Sequence, residues 1–314
     1  RYMAKILPFG RKAAHRAPIA GTSDALADFV RGYSIEVMPR TAAKVEDFRA
    51  ILPEGTRVYV AHIAGTPIED MVTTAARLVD EGFTVMPHLP ARIIPDRATL
   101  DDWAARYTDV GVSQALMIAG GVSEPVGAFH SSMQVMESGV LDARGYTRLH
   151  VAGHPEGNRD IDPKGGEQVV MEALRWKSDF AERTDADIAI ATQFCFEAEP
   201  VIAWADRLRE AGVDLPIHIG VAGPAKLQTL IKFAMTCGVG PSIRVLQRRA
   251  ADITKLMLPF TPDQILRDLA AHKAAHPEFQ VEAVHVFPLG GIPGAAEFMN
   301  AAGRPAGSTA AARA

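Results

Sequence analysis

Residues 57–88 read RVYVAHIAGTPIEDMVTTAARLVDEGFTVMPH. Two short apolar runs, Arg57–Ala61 and Thr84–His88, flank a stretch, Ile68–Glu81, whose Met71, Ala75, Leu78 and Val79 share one helical stripe. Gly82 stands where that helix should stop. The runs are apolar at consecutive positions, as parallel strands are when helices cover them. The same alternation repeats outward in both directions. Further strands are predicted at Tyr33–Met38, Gln114–Ile118, Thr147–Ala152, Asp187–Thr192, Pro216–Gly220 and Glu282–Val286. Helical patterns fill the gaps at Leu100–Val110, Phe129–Ser138, Val169–Arg183, Pro200–Ala211, Ala225–Met235 and Pro262–His276, with Gly111, Gly139 and Gly212 as stops. Eight such alternations in about 290 residues fit a single α/β domain, a (β/α)8 TIM barrel. The competing architecture, a doubly wound sheet, would carry G-x-G-x-x-G after its first strand, and that strand ends here in Glu36-Val37-Met38-Pro39.

Composition narrows the function classes. The 314 residues are 48% hydrophobic and 22% charged, ordinary for a globular chain that buries its own core. Lys+Arg number 33 against 37 Asp+Glu, a formal net charge of −4 without a basic stripe, which argues against nucleic acid. Two cysteines, Cys195 and Cys237, cannot frame a disulfide scaffold and point to a reducing, cytoplasmic compartment. No Cys/His grouping has zinc spacing, so no metal site is expected. No apolar run reaches the ~18 residues of a membrane span. Residues 1–22 are expected to form a basic N-terminal arm without a secretory leader's apolar core, 23–302 the barrel, and 303–314 a flexible C-terminal tail. A homo-oligomer is left open.

In a barrel the reacting groups sit at the C-terminal ends of the strands. That rule selects Glu36 in the first strand, His88 at the end of the third, and Ala119-Gly120-Gly121 after the fourth. It also selects His154-Pro155-Glu156-Gly157-Asn158 after the fifth, Thr192-Gln193 at the sixth, Gly220 at the seventh and His285 in the eighth. Burial in an apolar strand should raise the pKa of Glu36, which suits a general acid near neutral pH. A structural glutamate tied to a lysine or a backbone turn is the plainer alternative. His88 can equally be a packing histidine, Gln193 a buried amide capping a loop, and Gly120-Gly121 a tight turn that also lets a ligand approach the backbone.

Several of these fragments resemble one family. Tyr33-Ser34-Ile35-Glu36-Val37-Met38-Pro39-Arg40-Thr41 is similar to the first-strand motif F-E-F-F-P-P-R-T of methylenetetrahydrofolate reductases. Met86-Pro87-His88-Leu89 resembles their P-H-L motif, and His154-Pro155-Glu156-Gly157-Asn158 their Y-P-E-G-H-P stretch. Ala191-Thr192-Gln193-Phe194-Cys195-Phe196 resembles I-T-Q-F-F-F, and Ile219-Gly220-Val221 followed by Lys232-Phe233-Ala234 resembles P-G-I followed by K-F-A. The fragments keep the family's order. The resemblance implies a barrel that passes hydride from NADH or NADPH, through FAD, to 5,10-methylenetetrahydrofolate, giving 5-methyltetrahydrofolate for one-carbon metabolism and methionine synthesis. It implies Glu36 as the acid that protonates the leaving folate nitrogen. It also implies Gln193 as a hydrogen-bond partner of the pterin, His88 as a flavin contact and Lys177 as a basic residue near the flavin phosphates.

The chain departs from the family at identifiable places. The usual R-G-D after the fourth strand is Ala119-Gly120-Gly121, position 154 is His rather than Tyr, and position 158 is Asn rather than His. The aromatic that stacks on the pterin falls near Leu227. These changes keep two alternatives in view: direct hydride transfer from NADH to the folate without flavin, and a reduced-folate-binding protein for methyl transfer without redox chemistry. An aldolase-type barrel would need a Schiff-base lysine at a strand end, and no Lys lies in any predicted strand.

Overall fold

Side chains on a strand alternate between its two faces, so each strand of a closed ring must satisfy a helical layer outside and a crowded axis inside. The computed structural model describes residues 24–236, 246–247 and 259–305. In it, β1 (Ser34–Val37), β2 (Arg57–Val60), β3 (Thr84–Pro90), β4 (Gln114–Ile118), β5 (Arg148–Gly153), β6 (Asp187–Cys195), β7 (Ile217–Ala222) and β8 (Val281–Phe287) form a closed barrel in sequential order. Neighbours are parallel throughout, and the ring closes where Ser34 pairs with His285 and Ile35 with Val286. The chain is therefore a (β/α)8 TIM barrel. Each predicted strand is present, with ends moved by a few residues.

The helices follow the predicted spacing at Ile68–Asp80, Arg97–Asp109, Ser132–Glu137, Gln168–Phe180, Ala198–Glu210, Leu227–Thr236 and Asp263–Ala275. Among the described residues four were not foreseen: Asp24–Val30 ahead of β1, the single turns Pro39–Ala42 and Val140–Ala143, and Ile292–Ala302, which completes the eighth unit. Local chemistry sets the ends. Asp96 Oδ1 accepts the Thr99 N–H at 2.7 Å and opens the helix after β3. Gly82 leaves the first long helix at φ +91°, a left-handed turn that a residue with a Cβ avoids. Residues 1–22 and the tail beyond Pro305 lie outside the described residues, as does Cys237.

The main core is the shell between strands and helices. Ile35, Val37, Val58, Val60, Val85 and Leu89 face outward into it, and Trp204 from Ala198–Glu210 is fully buried there. Inside the ring the apolar content is small: Tyr59, Met86, Leu116 and Ala191, with Ile118 beside them. The remaining interior is polar, a departure from the branched aliphatic layers usual in such barrels. Among the described residues no helix is long and apolar enough to cross a membrane.

Truncating Trp204→Ala should cost about 3–5 kcal/mol, because the helix and two strands it joins cannot collapse into the void. A urea titration reads this directly, and a midpoint unchanged from the parent would show that Trp204 does not bear on the shell.

Candidate active site

Glu36 is the third residue of β1. Its neighbours Ile35 and Val37 point to the helical shell, so the alternation turns its carboxylate toward the axis. Its Oε2 lies 3.2 Å from His88 Nε2 and 3.8 Å from His285 Nε2. The side chain is 21% exposed, so it reaches the mouth while its surroundings remain protein. The expected rise in its pKa does not hold. Burial is the largest single influence and does push the carboxyl up. The charge on His88 and hydrogen bonding from His285 and His88 together outweigh it and bring the group down to about 2. Glu36 is thus an anion facing two imidazoles, not an isolated neutral acid. The plainer reading, a glutamate tied to a lysine or a turn, is not what surrounds it.

The strand ends gather most of the selected residues at the same mouth. His88, in β3, is buried against Glu36. The loop after β4 is anchored by the Ala119 carbonyl, which accepts the Arg92 N–H at 2.9 Å. Next to it, Gly121 opens onto empty space: a Cβ there would meet nothing within 4 Å. His154, Glu156 and Asn158 line a small cleft, with room for about one water (≈ 10 Å³), together with Gln193, Phe194 and Cys195. This cleft joins residues of the β5 loop with those at the end of β6. Burial holds the His154 imidazole down to about 4, with the nearby Lys177 charge adding to the effect. The Asn158 carboxamide oxygen is used inside its own loop, accepting the Asp160 N–H at 2.9 Å.

Gln193 reaches the cleft because β6 is bulged. Its register against β7 shifts between Ala191 and Phe194. Inside that shift Thr192 Oγ1 accepts the Gly220 N–H at 2.8 Å, replacing a ladder bond. Gln193 Oε1 accepts the Phe194 N–H at 3.1 Å, and its NH2 group makes no hydrogen bond to the described residues. Only a glycine fits opposite the bulge. A Cβ on Gly220 would stand 2.5 Å from Thr192 O, 2.8 Å from Gln193 O and 2.8 Å from the Phe287 ring.

Two selected residues are buried. Leu227 is 5% exposed, and the first turn of Leu227–Thr236 packs it into a core patch with Phe194, Phe196 and Phe260. Lys177 is buried on the inner face of Gln168–Phe180, near enough for its charge to act on His154; desolvation lowers its ammonium to about 8. Among the described residues no cluster of three or more His, Cys, Asp or Glu could hold a metal ion.

The sequence reading missed the support beneath Glu36. Ser34 Oγ lies 2.9 Å from His285 Nδ1, Tyr59 packs against His285 with ring centroids 4.2 Å apart and the rings tilted by 50°, and His150 contacts the Tyr59 hydroxyl. Phe287, half-buried at the end of β8 and 4.8 Å from the His285 ring, is the aromatic that the mouth does present. The available signal was a histidine or serine at inward positions of otherwise apolar strands.

No protein-family model matches the chain. Among solved structures it is similar to an orotidine 5′-phosphate decarboxylase from Lactobacillus acidophilus, at 13% identity and a TM-score of 0.44, covering 88% of this chain and 100% of that one. It is also similar to a mandelate racemase/muconate lactonizing enzyme from Bordetella bronchiseptica RB50, at 13% identity and a TM-score of 0.42, over 87% of this chain and 56% of that one. Likeness at this level is one of fold and says nothing about substrate.

Two measurements follow from this geometry. Gly220→Ala should displace the β6 bulge and remove Gln193 from the cleft, seen as a loss of stability of a few kcal/mol, about what overpacking costs; a variant as stable as the parent would mean that the bulge has room to spare. The second concerns pH. His150, His154 and His218 are all held below the ordinary 6.5, with burial as the largest cause, His154 at about 4 and His218 at about 3. The unfolded chain takes up these protons from 6.5 downward while the folded chain resists them. Stability present above 6.5 is therefore lost as the pH falls toward 4 and 3. Glu36 adds a loss in the same direction between 4.5 and about 2. Urea midpoints should fall steadily from about pH 7 to about pH 4, and less steeply in His218→Leu. A flat profile would contradict the buried neutral imidazoles.

Proposed function

We propose that this chain is an oxidoreductase that reduces 5,10-methylenetetrahydrofolate to 5-methyltetrahydrofolate with NADH or NADPH. The observation that carries the reading is the Glu36–His88 pair at 3.2 Å in the barrel mouth. Gln193 lines the cleft at the end of β6, its amide NH2 making no hydrogen bond to the described residues. Opening the five-membered ring of the substrate needs one proton on the departing nitrogen and a hydride on the carbon left behind. Glu36, with the His88 imidazole 3.2 Å away, stands where a proton can be passed to the departing nitrogen. When a substrate covers the carboxylate and expels water, the anion loses solvation and takes up a proton, which the neutral acid can then deliver. Gln193 offers a donor, and its carbonyl keeps a second lone pair, for the edge of a pterin.

The residues present are compatible with a flavin. The open backbone at Gly121, with His154 and Glu156, would hold it, and when bound it supplies the relay of hydride from nicotinamide to carbon. The Ala119-Gly120-Gly121 turn lacks the cation and the anion that the R-G-D triplet of the resembled family supplies, so FAD should be held loosely and restored by addition. That same turn is what favours direct transfer from NADH as the second reading. Titration of colourless protein with FAD separates the two. Quenched flavin fluorescence supports the flavin route, whereas folate-dependent NADH oxidation without any quenching supports direct transfer.

The decisive test is NAD(P)H oxidation with and without methylenetetrahydrofolate. Glu36→Gln should lower the folate-dependent rate by at least about 10²-fold, the lower range for general acid catalysis. Gln193→Ala should weaken folate binding by about 1–3 kcal/mol and leave the nicotinamide unaffected. A protein that binds tetrahydrofolate yet never oxidises NAD(P)H would replace this reading by folate binding for methyl transfer.

A further inference from the structure

The cleft between β5 and β6 owes its width to a residue that does not line it. Residues 154–167 connect β5 to Gln168–Phe180 and carry the cleft residues His154, Glu156 and Asn158 at their near end. Further along stands Asp162, buried at 7% exposure. Its Oδ1 accepts the Val169 N–H at 3.0 Å and its Oδ2 the Val170 N–H at 3.1 Å. Amides in the first turn of a helix have no partner within it, and the positive end of the dipole favours a carboxylate there. Asp162 thus caps the helix from the loop. Glu167, in the N-cap position, makes no side-chain cap and pairs instead with Arg207 Nη2 at 3.0 Å. The Asp162 N–H returns to Asn158 O at 2.8 Å, and Asn158 Oδ1 accepts the Asp160 N–H at 2.9 Å. A turn bonded to itself therefore links Asp162 to the cleft wall. The loop also meets itself at its foot, where a Cβ on Gly157 would stand 3.2 Å from Gly166 O.

The opposite wall is firmer. Phe194 and Cys195 are buried residues of a strand paired on both sides. Gln193, whose amide NH2 makes no hydrogen bond to the described residues, lies on that wall. Between the walls there is room for about one water, so a ring enters only if the loop moves. We propose that the β5 loop is a gate and Asp162 its latch: the two bonds to Val169 and Val170 hold the cleft narrow, and their release widens it for a planar ring that reaches Gln193. Asp162 is a positioning residue, acting through Asn158. The choice of a pterin as that ring rests on the reductase reading; the latch does not.

Cys195 reports the gate, since it lines the cleft and is 2% exposed. Its alkylation by iodoacetamide, read by mass spectrometry of the peptide that carries it and so apart from Cys237, measures how often the loop lifts. In the parent the rate should be flat at low urea, as local opening is, and climb only near the unfolding midpoint. Asp162→Ala should raise the flat rate at least about tenfold, the worth of one charge-assisted bond. Asp162→Asn keeps one acceptor oxygen and should fall in between. A loss of overall stability alone would raise only the urea-dependent limb. Parent labelling that climbs with urea from the outset means that Cys195 is reached only by global unfolding; it overturns the proposal even if Asp162→Ala does not fold. An unchanged flat rate in folded Asp162→Ala also overturns it. Saturating 5-methyltetrahydrofolate should slow labelling of the parent. Faster labelling in Asp162→Ala without such protection leaves the latch standing and removes the pterin; protection with an unchanged Asp162→Ala rate keeps the pterin and removes the latch.

Discussion

The axis of the ring is the constraint to which everything else answers. Eight strands deliver side chains into a space that cannot expand, so large groups from one side require small ones from the other. Here Tyr59, Met86, Leu116, His150, His218 and His285 crowd the axis, while Ala189, Ala191, Gly220 and Ala283 leave them room. The glycine matters most, since the β6 backbone and the Phe287 ring occupy the place of its missing side chain. These small residues make room for the bulge of β6 and for imidazoles packed edge to face.

A polar filling is expensive unless its members satisfy one another. Tyr59 bonds His150, Ser34 bonds His285, and the carboxylate at the top meets imidazoles from two strands. His218 is not served in this way: its ring lies 4.4 Å from that of His150 with neither nitrogen bonded among the described residues, and burial holds it neutral down to about pH 3. The interior therefore combines hydrogen-bonded pairs with an uncharged imidazole beside them.

The architecture was legible because period and punctuation agree along the chain. The stripe at Met71, Ala75 and Leu78 and the stop at Gly82 needed no tertiary knowledge. Glu36, His88 and Gln193 were legible by position, since a strand's C-terminal end in a barrel is a mouth. What surrounds Glu36 was not. A carboxylate in an apolar strand reads as desolvated, and only the packing of β3 and β8 against β1 reveals the imidazoles that reverse its pKa. The burial of Leu227 was not legible for a related reason: alignment with a motif gives a position in the chain, while the direction of a side chain depends on which face its helix buries. Lys177, placed by the same alignment, is turned inward by the helix that carries it, which the motif alone does not show.

The closure of the ring rests on the shortest of its ladders. β1 and β8 are joined by two registered residue pairs, fewer than at any other junction, and Ser34 and His285 are one of them. The side chains of that same pair share a hydrogen bond across the seam. A barrel has no free edge to fray, so its first local opening belongs at its weakest join. Here that opening would separate Ser34 from His285 and loosen the imidazole packed beneath Glu36 in the same movement. Integrity of the hoop and alignment of the carboxylate are thus a single mechanical condition, and a molecule breathing at this seam loses its aim before it loses its shape.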